Sequence, residues 1–437
     1  MRLRNWLLAG VAVAVVAGGA GAWAVNLFPR ALDPIAAIDT SSFSADDIET
    51  GRNLALLGDC SACHTVPGAQ GLSGGFPLPT PFGTIYSTNI TPDVETGIGT
   101  WSLEAFDRAM RDGIDRAGNH LYPAFPYDHF AGITEPDMAA LYAFLMSEPA
   151  VQAEAKANDL PFPFSMRPIL AGWKFLFHSP APFEPNPDFT DEENRGAYLA
   201  QTLGHCSACH SPRNALGAVE WSKGMAGGEA EGWLVPPLGA HSISPVAWDL
   251  DSYANYLFDG WSEQHAVAAG PMTPVVDHLF EADEDDVFAI AAWLARITPE
   301  VDQATRDAQF KAVAALDVPA NFDGKVEGDG VTDLIQQGAA VFRDSCVKCH
   351  KDRTAENQPL SLGLTYAVNA HEPTNLFNAV LQGVAPSSGS PNRKMEPVQL
   401  PSEELAALAA FVRWQFTDLP AWEGLSAKAE AARSAMH

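Results

Sequence analysis

The chain has 437 residues, of which 47% are hydrophobic and 18% charged, and a formal net charge of −28. That length leaves room for about two to four separately cored domains. The acid excess excludes nucleic acid as a partner; it serves solubility or docking to a basic protein, and solubility is the simpler use.

Arg2 and Arg4 precede an uncharged, mostly apolar run of 23 residues from Trp6 to Phe28. It is longer than the roughly 7–15 residues of a signal-peptide core and long enough to span a bilayer. Positive charge ahead of the run keeps that end in the cytoplasm and places everything after it outside. Ala20-Gly21-Ala22 and Ala22-Trp23-Ala24 also offer small residues to a signal peptidase. Residues 1–30 are therefore a membrane anchor, the better reading, or a signal peptide.

Beyond a Pro/Asp/Ser linker, Ala45–Leu57 has helical spacing and leads into Cys60-Ser61-Ala62-Cys63-His64. Asp191–Leu203 leads in the same way into Cys206-Ser207-Ala208-Cys209-His210, and Thr332–Phe342 into Cys346-Val347-Lys348-Cys349-His350. Each opening helix carries a glycine at a matching place, Gly51, Gly196 or Gly338. Such a glycine costs about 1 kcal/mol against alanine but allows a close helix crossing. Each segment then closes on an apolar-striped helix: Thr134–Met146, Asp283–Ile297 and Ser402–Phe416, with Thr134, Asp283 and Ser402 as N-caps.

The three motifs use all six cysteines. A single Cys-x-x-Cys can be a redox disulfide or half of a zinc site. A redox pair has no need of the following His, and zinc wants a second Cys or His pair nearby. Three copies of Cys-x-x-Cys-His with no cysteine left over instead predict three covalently bound haems c. Cys60, Cys63, Cys206, Cys209, Cys346 and Cys349 would form the thioethers, and His64, His210 and His350 would be the proximal iron ligands. Covalent haem of this kind suits the periplasmic side of a bacterial cytoplasmic membrane, in agreement with the N-terminal run.

The predicted fold is mainly α. Three tandem class I cytochrome c-like domains occupy 44–150, 191–299 and 332–420, a repeat in which each copy has its own cofactor. Ordered irregular connectors fill 151–190 and 300–331, a hydrophobic helix lies within 1–30, and 421–437 is a polar tail. The first connector holds seven prolines between Pro161 and Pro187 together with Trp173, Phe175 and Phe177. Those aromatics predict an ordered strap laid over the domains.

A distal methionine raises the potential of a haem and closes it to substrate. Met272, in Gly270-Pro271-Met272-Thr273-Pro274, and Met395, in Lys394-Met395-Glu396-Pro397, lie in Pro-rich loops before the closing helices and are the predicted distal ligands. The corresponding place in the first domain reads Pro123-Ala124-Phe125-Pro126, and phenylalanine cannot coordinate iron. Its distal ligand is unassigned, with His120, His129, Met110, Met138 and Met166 as local candidates. Tyr86, Asn89, Trp101, Arg213 and Asn214 are candidates to hold propionates or, equally, turn and core residues.

Tyr86-Ser87-Thr88-Asn89-Ile90-Thr91-Pro92-Asp93, Gly97-Ile98-Gly99-Thr100-Trp101-Ser102 and Leu121-Tyr122-Pro123-Ala124-Phe125-Pro126-Tyr127 resemble the triheme cytochrome c subunits of membrane-bound bacterial dehydrogenases. Arg195-Gly196-Ala197-Tyr198-Leu199, Gly204-His205-Cys206 and Met395 ahead of Leu405-Ala406-Ala407-Leu408 extend the resemblance over nearly everything after about residue 40. It implies a subunit without a substrate site of its own, carrying electrons from a catalytic dehydrogenase subunit to ubiquinone or a terminal cytochrome or oxidase. Family partners are quinoproteins, flavoproteins or molybdopterin subunits with iron–sulfur subunits. The alcohol-dehydrogenase branch usually has Met where Phe125 stands, and Pro-Ala-Phe-Pro-Tyr-Asp-His-Phe resembles the branch beside molybdenum and iron–sulfur subunits. A haem enzyme or small-ligand sensor working at an open first haem is the alternative.

Overall fold

The computed structural model describes residues 27–36, 38–319, 321–350 and 361–435. Most of the N-terminal apolar run, and with it the expected hydrophobic helix, lies outside the described residues. Among those described, no helix is long and apolar enough to cross a membrane. The chain divides into two compact units: the part up to Glu184 with Gln201–His205, and Pro185–Ala200 with everything from Cys206 on.

In the first unit, Ser44 Oγ accepts the Asp47 N–H (3.0 Å), and with Asp46 and Asp47 at the positive end it opens α1 (Ala45–Leu57). The turn Cys60–His64 follows, then an antiparallel hairpin of β1 (Pro77–Thr80) and β2 (Gly83–Tyr86). Ser102 caps α2 (Leu103–Asp112), which stops where Gly113 turns left-handed at φ 59°. Thr134 caps the closing helix α3 (Glu135–Ser147), as expected. α1 crosses α3 at Gly51, where a Cβ would collide with the Ala140 carbonyl.

The strap 151–190 is ordered and contains a helix, α4 (Ile169–Phe177), where an irregular path is expected from the sequence. Its Lys174 replaces water at the carboxyl end of α2, donating from Nζ to the carbonyls of Asp112 and Gly113 (both 2.6 Å). Burial pulls this ammonium down from 10.5 to about 7. Between those two values the unfolded chain holds the proton and the folded chain does not. Stability of this region should therefore rise with pH from about 7 towards 10.5, by up to ~1.4 kcal/mol per pH unit. Hydrogen exchange of the α2 amides, corrected for intrinsic rate, should show more protection at pH 9 than at pH 7, and Lys174→Met should abolish that difference.

The second unit repeats the plan twice. α5 (Asp191–Gln201) ends two residues before the expected Leu203, because the Cys206 N–H turns back to the Ala200 carbonyl (3.0 Å). The turn Ser207–His210 and the hairpin of β3 (Gly228–Ala230) and β4 (Trp233–Val235) follow. Asp249 caps α6 (Leu250–Asp259), which ends at Gly260 with φ 75°. α7 (Met272–Glu281) precedes α8 (Glu284–Arg296), whose cap is Asp283 as expected. Gly196 of α5 lies against the Ala289 carbonyl of α8 as Gly51 lies against Ala140.

The connector after α8 starts with α9 (Gln303–Ala314). The third repeat runs through α10 (Asp333–Ser345), α11 (Thr374–Gln382) ending at Gly383 with φ 78°, and α12 (Ser402–Phe416), which Gly338 meets at the Ala407 carbonyl. Two expectations are corrected here. Ser402 is the first helical residue and not the cap; Pro401 precedes it with φ already set, and Glu403 and Glu404 face the positive end. Residues 421–437 are not simply a polar tail. Leu425–Ser434 forms α13, whose Leu425 and Ala429, four residues apart, are buried with Trp422 in the core of Phe342, Phe377, Leu405 and Phe411.

Candidate haem-attachment sites

Each motif closes one helical turn. The His210 N–H bonds the Cys206 carbonyl (2.9 Å) and the His350 N–H bonds that of Cys346 (2.9 Å), while Cys60–His64 is itself helical. Positions i, i+3 and i+4 then share a face, so two thiols and one imidazole are presented together. The first two motifs are reached through a left-handed non-glycine residue, Asp59 (φ 52°) and His205 (φ 36°). Such a conformation costs energy and recurs at functional turns. The third motif runs straight on from α10, with Cys346 right-handed at φ −118°.

The imidazoles are aimed from behind. His64 Nδ1 lies 2.6 Å from the Thr88 carbonyl and His210 Nδ1 lies 2.8 Å from that of Pro236. A carbonyl can only accept, so Nδ1 carries the hydrogen and Nε2 keeps the free lone pair that a metal needs. Burial lowers the pKa of both rings against the opposing pull of those carbonyls, and lowers His350 to about 4. Neutral imidazole is the ligating form. Nδ1 of His350 is buried with no hydrogen-bond partner among the described residues.

Two glycine pairs let these carbonyls approach. The Gly74 N–H holds the His64 carbonyl (2.8 Å), and a Cβ at Gly74 (φ 76°) would strike the Thr88 carbonyl. The Gly227 N–H holds the His210 carbonyl (2.8 Å). Thr88, Pro236, Gly74 and Gly227 are absent from the residues expected at the sites from sequence. Gly74-Gly75 and Gly227-Gly228, each a Gly-Gly downstream of a motif, were the available signal.

Burial, aided in the first motif by Asp59 and by the second thiol, pushes Cys60 up to about 12, and Cys206 and Cys346 to about 12 also. A raised pKa keeps the first thiol of each pair protonated and disfavours disulfide exchange through it, while Cys209 and Cys349 are exposed. Among the described residues no group of three or more His, Cys, Asp or Glu side chains could hold a metal ion. A thiol pair with one imidazole whose Nε2 is free fits haem c, in which the macrocycle brings the remaining iron ligands.

The expected distal residues Met272 and Met395 share a register with Phe125. The helices α2, α6 and α11 each end on a positive-φ glycine, and twelve residues after Gly113, Gly260 and Gly383 stand Phe125, Met272 and Met395. In the first two cases the backbone returns in the same way. The Leu121 N–H meets the Gly113 carbonyl (2.7 Å), and the Ala268 N–H meets the Gly260 carbonyl (2.8 Å). Met272, expected in a loop, is instead the first residue of α7; prolines at positions 271 and 274 fit a helix's first turn, where N–H groups have no intrahelical partner. Met395 is paired with Val384 through both backbone bonds (2.8 and 2.9 Å) and is half-buried.

Phe125 is half-buried and stacks edge-on against Phe130 (5.3 Å). Of the other first-domain candidates, Met138 (1% exposed) and Met110 (8%) are enclosed by protein on α3 and α2, while Met166 (47%) stands on the strap. His129 Nδ1 is engaged by Asp128 Oδ1 (2.9 Å), and His120 is bridged to Ile114. The expected propionate holders divide. Asn89 spends its amide on Thr96 Oγ1 and the Val151 carbonyl and its oxygen on Thr91; Arg213 ties Gly217 and Ala208; Asn214 Oδ1 accepts from Leu216 and Ala218. These three fasten loops. Tyr86 lies under Lys156 Nζ (3.9 Å), and the Trp101 carbonyl accepts the Tyr142 hydroxyl (2.7 Å).

Within the second unit the two motif-bearing frames are bolted together. Asn375 of α11 bonds both the N–H and the carbonyl of Leu234 on β4 (2.8 Å each), Ser387 Oγ donates to the Asp259 carbonyl (2.7 Å), and Arg393 covers the Trp261 ring at 3.3 Å.

Comparison with known proteins agrees with this geometry. Residues 48–148 match the cytochrome c family, and residues 333–412 match cytochrome c oxidase, cbb3-type, subunit III. A nicotinate dehydrogenase subunit of Pseudomonas putida is 43% identical over 92% of this chain, which spans only 33% of that relative's length. The gluconate 2-dehydrogenase cytochrome c subunit of Pantoea cypripedii is 36% identical, over 86% of this chain and 89% of its own. The fructose dehydrogenase cytochrome subunit of Gluconobacter japonicus is 34% identical, over 84% and 79%. The chain belongs to the cytochrome c subunits of dehydrogenase complexes, electron-transfer proteins that carry covalent haem c and serve a catalytic dehydrogenase partner.

Proposed function

We propose that the chain is a three-haem electron relay, held on the periplasmic side of the cytoplasmic membrane by its N-terminal run. It would take electrons from a catalytic dehydrogenase and deliver them to ubiquinone or a terminal cytochrome or oxidase. The observation that carries the count is the threefold repeat of one frame: opening helix, Cys-x-x-Cys-His turn, glycine-ended helix and closing helix. The thiols of Cys60/Cys63, Cys206/Cys209 and Cys346/Cys349 would bind the porphyrin edge, with His64, His210 and His350 on the iron. Haem c supplies reversible one-electron chemistry. The residues contribute aim and insulation. Thr88 and Pro236 orient two imidazoles, while Met272 and Met395 would complete two closed sites that exclude substrate. The contacts of Asn375, Ser387 and Arg393 hold the second and third frames at one fixed separation.

The partner is most consistent with a molybdopterin subunit and its iron–sulfur subunit. The Pro-Ala-Phe-Pro-Tyr-Asp-His-Phe wording and the relative named for nicotinate, an N-heterocycle, both support this. Purification from detergent extracts tests count and partner together. Three haems per chain by alkaline pyridine spectrum, with molybdopterin and iron–sulfur subunits copurifying, is the expected result. One or two haems would sink the count, and a quinoprotein or flavoprotein would overturn the choice of partner. Phe125 favours a second reading, in which the first haem is open and acts as a small-ligand sensor or enzyme.

A further inference from the structure

Along α4 the usual arrangement of a surface helix is inverted. Its one cation, Lys174, is 9% exposed, while Phe175 and Leu176 beside it are 86% and 65% exposed. Ile169 is 44% exposed, and Gly172 meets nothing within 4 Å. Positions 169, 172 and 176 fall on one helical side, with 175 flanking them. Phe162, Phe164 and Met166 are exposed just ahead, so six large hydrophobic side chains face outward within residues 162–176. Scattered exposed hydrophobics need no explanation, but a cluster with the charge turned inward does.

The face cannot turn away. Lys174 is tied to the end of α2, Arg167 Nη1 donates to the His120 carbonyl (2.8 Å), and the Tyr122 hydroxyl donates to the Phe164 carbonyl (2.9 Å). Trp173 lies edge-on to Tyr127 at 6.1 Å. All four ties fall between Asp112 and Tyr127. The chain leaving the N-terminal apolar run docks on this same stretch. The Leu32 N–H bonds the Arg116 carbonyl (2.8 Å), Arg108 bonds the Arg30 carbonyl (2.8 Å), and Gly118 leaves room for the Pro29 carbonyl that a Cβ would obstruct. The ties of the chain leaving the 23-residue apolar run and the ties that hold α4 thus fall on one stretch, residues 108–127.

Charge points the same way. In a chain of net −28, residues 160–183 contain Arg167 and Lys174 and no acidic residue. With Lys174 buried, the outward charge of this segment is Arg167 alone, so anionic headgroups repel it less than they repel most of this protein. α4 spans only about 14 Å at 1.5 Å per residue, too short to cross a bilayer and suited to lying along its surface.

We propose that the outward face of α4, Ile169, Phe175 and Leu176 with Phe162 and Met166, lies in the lipid–water boundary of the membrane that the N-terminal run enters. This rests on the reading of that run as an anchor. Together they make a two-point attachment that fixes how the first unit faces the bilayer, where a single span would let it swivel.

The test uses the full holo-chain in vesicles of phosphatidylethanolamine and phosphatidylglycerol carrying a diazirine in the acyl chain, with labelled peptides located by mass spectrometry. Label is expected on the N-terminal run and on the peptide covering 162–176. In the Phe175→Glu/Leu176→Glu double variant, label on that peptide should be lost while label on the run and haem per chain are unchanged. Label on the run alone would overturn the proposal and leave the anchor intact, as expected if this face is reserved for a protein subunit. Label on 162–176 alone would uphold the lipid contact of α4 and overturn the anchor, and with it the two-point attachment; label on neither would remove both. Undiminished labelling of the double variant would also overturn it.

Discussion

Replacing Phe125 with Met should abolish carbon monoxide binding by the reduced protein. The wild-type chain should bind it at one haem in three, because Met272 and Met395 stand in the second and third frames where Phe125 stands in the first. The equivalence does not depend on distance from the cysteine motif, which varies. It rests on the glycine that ends α2, α6 and α11 and on the twelve residues that follow. Phe and Met have similar volumes, and Phe125 is half-buried against Phe130, so the exchange should repack locally. A thioether on the iron also favours the reduced state, so the potential of the haem held by Cys60 and Cys63 should rise by on the order of 100 mV. Phe125→Leu, which removes the ring without adding a ligand, should keep the carbon monoxide response. If the wild-type protein shows no response, another side chain already closes the first iron and the sensor and enzyme readings lose their support. If Phe125→Met still binds the gas, the twelve-residue register does not mark the distal position in this frame.

Much of this was legible from spacing, and the parts that were not escaped for separate physical reasons. The opening helix Ala45–Leu57 matches the predicted bounds, and Ser402–Phe416 does too, because apolar residues at helical spacing report a buried face directly. Gly51, Gly196 and Gly338 were legible as crossing points, and each does meet an alanine carbonyl of the closing helix. The hairpins β1/β2 and β3/β4 were not, since strands of three or four residues leave no period to read. Asn89, Arg213 and Asn214 stood equally open between propionate holders and turn residues, and their side chains fasten loops; composition cannot tell which partner a polar side chain serves. Lys174 and Phe175 were opaque for a deeper reason. A helix that buries its cation and exposes its phenylalanine breaks the rule by which sequence is read in water. The carbonyls of Asp112 and Gly113 that satisfy the cation lie more than sixty residues away in the chain.

Gly196→Ala or Gly338→Ala should destabilise the second unit by about 3 kcal/mol or more, and Gly51→Ala should do the same to the first. Two opposing effects decide the sign. Alanine in place of a mid-helix glycine gains about 1 kcal/mol from backbone propensity alone. At these three positions, however, the added methyl meets the carbonyls of Ala140, Ala289 and Ala407, with Phe144 Cβ and Phe411 Cβ also in the way in the first and third frames. A backbone carbonyl cannot rotate aside as a side chain can, so the helices must part along their whole contact. That contact holds the core of each frame: in the third, Phe342 on the opening helix packs 5.2 Å from Phe411 on the closing one. Separating the helices also displaces the Cys-x-x-Cys-His turn that follows the opening helix, so haem content per chain should fall with stability. Gly172→Ala in α4 is the internal control, because nothing lies within 4 Å of its Cβ position. It should leave haem content unchanged and be neutral or stabilising by up to about 1 kcal/mol. Urea midpoints and alkaline pyridine spectra on the four variants measure both quantities. If Gly196→Ala and Gly338→Ala behave like Gly172→Ala, the crossings are looser than drawn, and the threefold frame would owe its geometry to the haems it binds and not to the helices that bind them.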